Sequence, residues 1–307
     1  MGNGDMDTVH RGRIGKKMNL SEFLSSTKKT ILLDGAMGTQ LAEVGLEMGG
    51  QNSVTHPDAV LAIHRQYVEC GVDLLITNTL TMNRVFIESH HVGVDVREVN
   101  LAGARLAKAA VRDGQYVLGD MSSTGKLLKP YGDLPAEAAY AAFKEQAAIL
   151  AEGGVDGFVV ETMFDLQEAR CAVRACKETV DLPVIATIAF NTSKDGGRTI
   201  MGNSARDCAQ ALTEAGAGAV GANCGSLDPF QMVETVSKMR EVSPLPVVAQ
   251  PNAGKPRVVG NQTVFDMSPA DFAMGVYQCV QAGARLVGGC CGTSPAHIRA
   301  LAALLGK

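Results

Sequence analysis

The stretch GVDLLITNT, Gly71 to Thr79, returns at Gly154 to Thr162 as GVDGFVVET. Each begins with a Gly-Val-Asp entry, runs through aliphatic residues and ends on polar ones. Looser versions of the same entry, Gly216-Ala217-Gly218 and Gly283-Ala284-Arg285, open the runs GAVGANCG (218–225) and ARLVGGCCG (284–292). Four more runs complete the set: KTILLDGAMG (29–38), QYVLGDMS (115–122), LPVIATIAF (182–190) and LPVVAQPN (245–252). All eight are short, largely continuous aliphatic stretches, the pattern of strands covered on both faces.

The segments between them read as amphipathic helices. HPDAVLAIHRQYVECG starts at Pro57 and Asp58, puts Ala59, Ile63, Tyr67 and Cys70 on one face, and stops at Gly71. LPAEAAYAAFKEQAAILAEGG runs from Pro135 and Glu137 to Gly153–Gly154, and SPADFAMGVYQCVQAGA from the cap-like Ser268 and Pro269 to Gly283. The Gly-led entries fall on even-numbered runs, whereas Leu-Pro opens the fifth and seventh. This alternation fits an α/β fold in which core layers come from odd and even strands in turn. The expectation is one (β/α)8 TIM barrel over residues 21–307, preceded by a flexible lead-in at 1–20. A doubly wound open sheet is the rival, but no GxGxxG or Walker loop follows the first run.

The 307 residues are 46% hydrophobic and carry a formal net charge of −4. No basic block or basic–aromatic stripe marks a nucleic-acid surface, and no apolar run approaches the roughly 18–20 residues of a membrane span. The polar N-terminus lacks the apolar centre of a secretory signal. A cytoplasmic protein with reduced thiols is therefore expected from the eight cysteines. Cys70, Cys171, Cys176, Cys208 and Cys279 lie in helical patterns and read as small buried hydrophobes. His56, His64, His90, His91 and His297 form no set and read as surface or capping residues.

Cys224, Cys290 and Cys291 stand apart, because they fall at the ends of the sixth and eighth strands. In a barrel the chemistry gathers at the C-terminal strand ends, and these three thiols can converge there on one soft metal, with zinc the commonest occupant. Packing in a crowded barrel layer and a strained vicinal disulfide are the alternatives for Cys290–Cys291. Gly288, Gly289 and Gly292 are expected to give the backbone freedom to turn both sulfurs inward. Asn252, at the end of the seventh strand, is either a turn residue or a labile fourth ligand. Asp34 at the first strand end and Glu161 at the fourth are carboxylates placed to hold an ammonium group, with the amides of Gly35 and Ala36 on a carboxylate. Asn78 and Thr79 are expected to line the side from which a second substrate arrives. A zinc ion held by three thiolates is electron-rich, and its natural use is to bind an incoming thiol and lower its pKa.

The motifs LLDGAMGTQL, TNT (77–79), VVET, GANCGS and GGCCGTSPAHI resemble those of the homocysteine S-methyltransferase family, over about Lys29 to Leu305. That resemblance implies zinc at Cys224, Cys290 and Cys291, homocysteine held by Asp34 and Glu161, and Asn252 as the labile ligand of the methionine-synthase branch. STGKLLKPYGDL (123–134) resembles the PTGKLL loop of that branch, although Leu80 replaces the usual aromatic after TNT. The chain has no tryptophan, which argues against an aromatic cage for betaine; Tyr131 or Phe164 would replace one only in part. The chain ends directly after the last barrel unit, so the methyl group is expected from free methylcobalamin or a separate methylcorrinoid protein. A piece of a larger methionine synthase reads the same way. A sulfonium donor such as S-methylmethionine is the second expectation, and a non-catalytic zinc-thiolate or redox-sensing barrel is the rival of another class.

Overall fold

The computed structural model describes residues 18–260 and 262–307. Eight parallel strands form one sheet: β1 (Ile31–Leu32), β2 (Leu74–Ile76), β3 (Tyr116–Met121), β4 (Gly157–Met163), β5 (Val184–Ile188), β6 (Ala219–Asn223), β7 (Val247–Gln250) and β8 (Ala284–Val287). Each strand pairs with its neighbour in sequence, β8 pairs with β1, and a parallel bridge between Leu33 and Leu74 joins β1 to β2. The sheet is thus a closed α/β TIM barrel built from all eight expected runs. A two-stranded antiparallel hairpin, Arg257–Val259 with Gln262–Val264, projects between β7 and β8.

Helices fill the intervals where periodicity placed them. The helix Pro57–Glu69 buries Val60, Ile63, Tyr67 and Val68 and ends before Gly71, whose φ of +81° only glycine adopts freely. Ala136–Glu152 and Pro269–Gln281 match the other two segments, and Ser268 Oγ caps the latter. Asn19 and Glu22 form a capping box on the helix Leu20–Ser26, so Leu20 belongs to the fold, while residues 1–17 of the expected lead-in lie outside the described residues.

The barrel interior explains where the site begins. Side chains alternate in and out along a strand. Inward residues Ile31, Leu33, Leu74, Tyr116, Leu118, Val159, Ile185, Ala219, Val248 and Leu286 make one apolar plug, closed below by Leu20 and Leu24 of the first helix. One inward step further along, the composition changes. Leu118 is followed by Asp120, Val159 by Glu161, Gly221 by Asn223 and Val248 by Gln250, all at least nine-tenths buried. Chemistry therefore sits on top of the plug at the C-terminal end. No helix among the described residues is long and apolar enough to cross a membrane.

Candidate metal centre and substrate cavity

Cys224, Cys290 and Cys291 converge: their sulfurs all lie within 4.8 Å of one another, with Cys224 Sγ 3.9 Å from Cys291 Sγ. The backbone that achieves this differs from expectation. The strained residue is Cys224 itself, whose φ of +53° lies in the left-handed region that residues other than glycine seldom adopt. Gly225 follows in the same left-handed region (φ +68°), and a Cβ there would stand 2.4 Å from the carbonyl oxygen of Phe190. Around the cysteine pair, only Gly292 has positive φ (+77°). Gly288 and Gly289 are needed for close approach instead: a Cβ would meet Asp34 O at 2.7 Å and Thr293 Oγ1 at 2.5 Å. The missing side chain of Gly288 lets β8 press against the end of β1, and that of Gly289 makes room for Thr293.

The three thiols are electrically interdependent. Hydrogen bonds from Cys224 and Cys290 draw the Cys291 thiol down to about 4. Cys224 is lowered by its bond with Cys290, but its bond with Cys291 and burial outweigh this and push it up to about 12. Cys290, bonded to both and partly buried, rises well above the ordinary thiol range. Three sulfurs so close share negative charge stably only with a cation among them. The donor set fits a thiophilic dication such as zinc. Asn252 adds to that fit. Its Nδ2 donates to Gly225 O at 2.9 Å, and the next amide, Ala253 N, donates to Cys291 O at 2.9 Å, so it ties the two cysteine loops together. Its Oδ1 is buried without a hydrogen-bond partner.

Beside the sulfurs opens a cavity of about 320 Å³ lined by Asp34, Gly35, Ala36, Asn78, Asp120, Glu161, Gln250 and the three cysteines, among others. No Lys, Arg or His and no aromatic residue lines it among the described residues. Asp34 Oδ2 accepts the Ile76 amide at 2.9 Å, while Oδ1 is buried without a partner. Burial, opposed by the Ile76 bond and aided by the charge of Glu161, raises the Asp34 carboxyl well above its ordinary value. Glu161 reaches the cavity from a bulge: β4–β5 register shifts between Val160 and Met163, and Thr162 takes φ +57°. Burial, with the neighbouring Cys224 charge, lifts Glu161 to about 7.

Several expected roles change. Ala36 lines the cavity, but its amide donates to Thr293 Oγ1 at 3.0 Å rather than standing free for a carboxylate. Thr79 is fully buried away from the cavity lining; its hydroxyl meets Thr77 Oγ1 at 2.7 Å and donates to Asp120 O at 2.8 Å. Asn78 does line the cavity, braced by Gly49 O and Ser53 Oγ, each at 3.3 Å. Tyr131 is 74% exposed and is not among the lining residues. His64 is no surface residue: it is wholly buried and neither ring nitrogen has a partner. His297 does cap its helix through Ser294. Cys176, Cys208 and Cys279 are buried as expected, whereas Cys171 is only half-buried.

Sequence reasoning gave no role to Asn223, Gln250 or Asp120. Asn223 is the hub. Its Oδ1 accepts from Thr162 N (2.8 Å) and Thr187 Oγ1 (2.7 Å), and its Nδ2 donates to Glu161 Oε2 (2.7 Å) and faces Cys290 Sγ (3.8 Å). It joins the carboxyl side of the cavity to the sulfur side. Gln250 Oε1 and Asp120 Oδ1 are buried without partners. Their signal was the alternation of inward positions, which a strand buried on both faces conceals.

The fold and site together define a (β/α)8 barrel with three converging thiols beside an acidic cavity at the C-terminal ends of its strands. The homocysteine S-methyltransferase family profile matches residues 31–305, and the chain belongs to that family. A methionine synthase of Mycobacterium tuberculosis is 30% identical over 298 residues, and one of Mycobacterium leprae 29% over 309. These alignments cover 90% and 94% of this chain, which spans about a quarter of the length of either relative. The oxidized form of the homocysteine methyltransferase MmuM from Escherichia coli superposes with a TM-score of 0.77 at 22% identity, covering 93% of this chain and 100% of that one. That likeness is one of fold.

Proposed function

We propose that this chain transfers a methyl group to the thiol of homocysteine, giving methionine, with zinc held by Cys224, Cys290 and Cys291 and Asn252 Oδ1 as the labile fourth donor. The observation that carries the reading is the juxtaposition of three converging sulfurs with an acidic cavity that contains no cation of its own. A thiol amino acid supplies what each half lacks. Zinc bound there supplies the electrophilic charge that brings an incoming thiol to thiolate near neutral pH. The protein's residues do the rest. Asp34 and Glu161 take the substrate ammonium, and Asn223 fixes Glu161 relative to the sulfurs. Asn78 stands at the side from which the methyl donor comes. The substrate sulfur attacks the methyl carbon in line; the new sulfur–carbon bond forms as the donor–carbon bond breaks, and its electron pair leaves with the donor. Holding sulfur and donor in line supplies much of the acceleration.

The donor in this reading is methylcobalamin, free or on a separate corrinoid protein. Support comes from the methionine synthases the chain resembles and from the cavity's size. About 320 Å³ suits an amino acid and lies at the small end of ligand pockets, so a corrin ring has to present its methyl from outside. Met48 and Leu80, exposed at the cavity rim, offer an apolar edge there. The lack of aromatic lining speaks against betaine, whose quaternary ammonium needs such faces. The test is one zinc-loaded preparation assayed with methylcobalamin, S-methylmethionine, betaine and methyltetrahydrofolate. Methionine from methylcobalamin alone is expected; turnover only with S-methylmethionine transfers the reading to a sulfonium donor, and no turnover with any donor overturns it.

A further inference from the structure

Asp120 is the residue of the cavity with the least structural reason to be acidic. It is 5% exposed, lines the cavity, and its Oδ1 has no hydrogen-bond partner among the described residues. Burial, followed by the charge and hydrogen bonding of neighbouring Glu161 and the charge of Asp34, raises its carboxyl well above the ordinary value. Burying a carboxyl that neither pairs with a cation nor completes its bonds costs stability. Yet the backbone around it is firmly built. Asp120 N donates to Thr77 Oγ1 at 2.9 Å, and Asp120 O accepts from Thr79 Oγ1 at 2.8 Å and Gln146 Nε2 at 3.4 Å. The threonines of the TNT triplet thus hold this carboxyl in position without satisfying it.

We propose that Asp120 is a specificity-determining residue: its Oδ1, with Asp34 Oδ1, receives the substrate ammonium, and it makes the cavity select α-amino thiols over thiols that lack the amino group. The inference rests on the thiol-acceptor reading above. Glu161 Oε2 already accepts from Asn223 Nδ2, so beside Glu161 the oxygens of Asp34 and Asp120 that lack partners among the described residues are open acceptors for the ammonium's N–H donors. Three acidic groups lining one cavity cannot all carry full charge at close range. Asp120 keeps a proton on the oxygen facing Glu161, donates it there, and turns its carbonyl-like Oδ1 to the ammonium. A dicarboxyl pair sharing one proton carries a single negative charge, the complement of one ammonium.

This arrangement sets Asn apart from Leu at position 120. Asparagine reproduces both bonds, its Nδ2 donating to Glu161 and its Oδ1 accepting from the ammonium, whereas leucine keeps the bulk and loses both. Binding is read by calorimetry on zinc-loaded protein with two ligands, homocysteine and 4-mercaptobutanoate, its analogue without the amino group. Asp120→Leu is expected to weaken homocysteine by about 10- to 100-fold and leave 4-mercaptobutanoate unchanged, while Asp120→Asn stays within about threefold of the parent for both. Equal weakening of both ligands by leucine would show a merely structural role, and no weakening of either would remove Asp120 from the site; each result overturns the proposal. Asparagine as poor as leucine would overturn the shared-proton arrangement. If the parent protein binds neither thiol, the thiol-acceptor reading itself fails, which is a separate and recognisable result.

Discussion

The two ends of this barrel use the same residue types in opposite ways. At the N-terminal end, Asp73 Oδ2 accepts the Leu32 amide at 2.7 Å and pairs with Lys307, and Asp156 Oδ2 accepts the Val117 amide at 2.8 Å with Lys108 at 3.0 Å. Arg285 closes the same end by donating to the carbonyls of Leu24 and Thr27. These are the polar residues of the repeated strand entries, and each bridges one strand to a neighbouring element. At the C-terminal end, Asp34, Asp120 and Glu161 face a cavity that no cationic side chain lines among the described residues, and two of the three carry oxygens without partners among them. One end spends its charged groups on stability; the other holds them unsatisfied and ready for a ligand.

Breaking the cysteine cluster should produce the largest effect. Cys290→Ala removes one of three soft ligands, so bound zinc measured by atomic absorption and methyl transfer should both fall, the latter by at least about three orders of magnitude, with the circular-dichroism spectrum intact. Retained zinc and activity would take Cys290 out of the site. Gly225→Ala comes next. Its Cβ would meet Phe190 O at 2.4 Å at a φ of +68°, so a loss of about 1–3 kcal/mol is expected in denaturant unfolding, together with weaker zinc binding as Cys224 shifts. Unchanged stability and zinc affinity would show that the loop yields without cost.

Smaller effects test the contrast between the ends directly. Asp156→Ala strips the Val117 amide of its acceptor and should cost about 1–3 kcal/mol while leaving substrate affinity alone. Asp120→Leu should move stability the other way, by up to ~1 kcal/mol in the apo protein, because it removes an unsatisfied buried carboxyl. Two losses of equal size would erase the distinction between the ends. A pH-dependent effect belongs to His64, held neutral by burial with its value lowered to about 3. The unfolded chain takes up this proton near its ordinary value of 6.5, so the stability present above that pH is lost as pH falls toward 3, at up to ~1.4 kcal/mol per unit. His64→Leu lacks this loss, and the wild-type–variant difference should shift by ~2 kcal/mol in the variant's favour between pH 7 and pH 5. A pH-independent difference would contradict it.

Much of this organisation was legible in the sequence. The eight runs, their Gly-led entries and the polar residues at their ends placed Cys224, Cys290, Cys291, Asp34 and Glu161 at one mouth, because position along a strand is a one-dimensional property. Direction was not legible. Strands buried on both faces show no alternation, so Asp120 and Asn223 gave no sign of pointing inward. Contacts between distant segments were hidden for a related reason: the hydroxyl that occupies the Ala36 amide belongs to Thr293, at the far end of the chain. The glycines beside the cysteine pair looked like hinges, yet Gly288 and Gly289 are spacers against Asp34 and Thr293. His64 is the exception that could have been read, since it shares the buried helical face of Val60 and Val68.

The central claim is that the three thiols hold a metal whose remaining position takes the substrate's sulfur. Zinc K-edge absorption spectroscopy on the zinc-loaded protein, before and after homocysteine, tests this most directly. The account predicts a shell of three sulfurs and one lighter atom that becomes four sulfurs, with proton release on binding. A shell that stays unchanged when homocysteine is bound at saturation would contradict it.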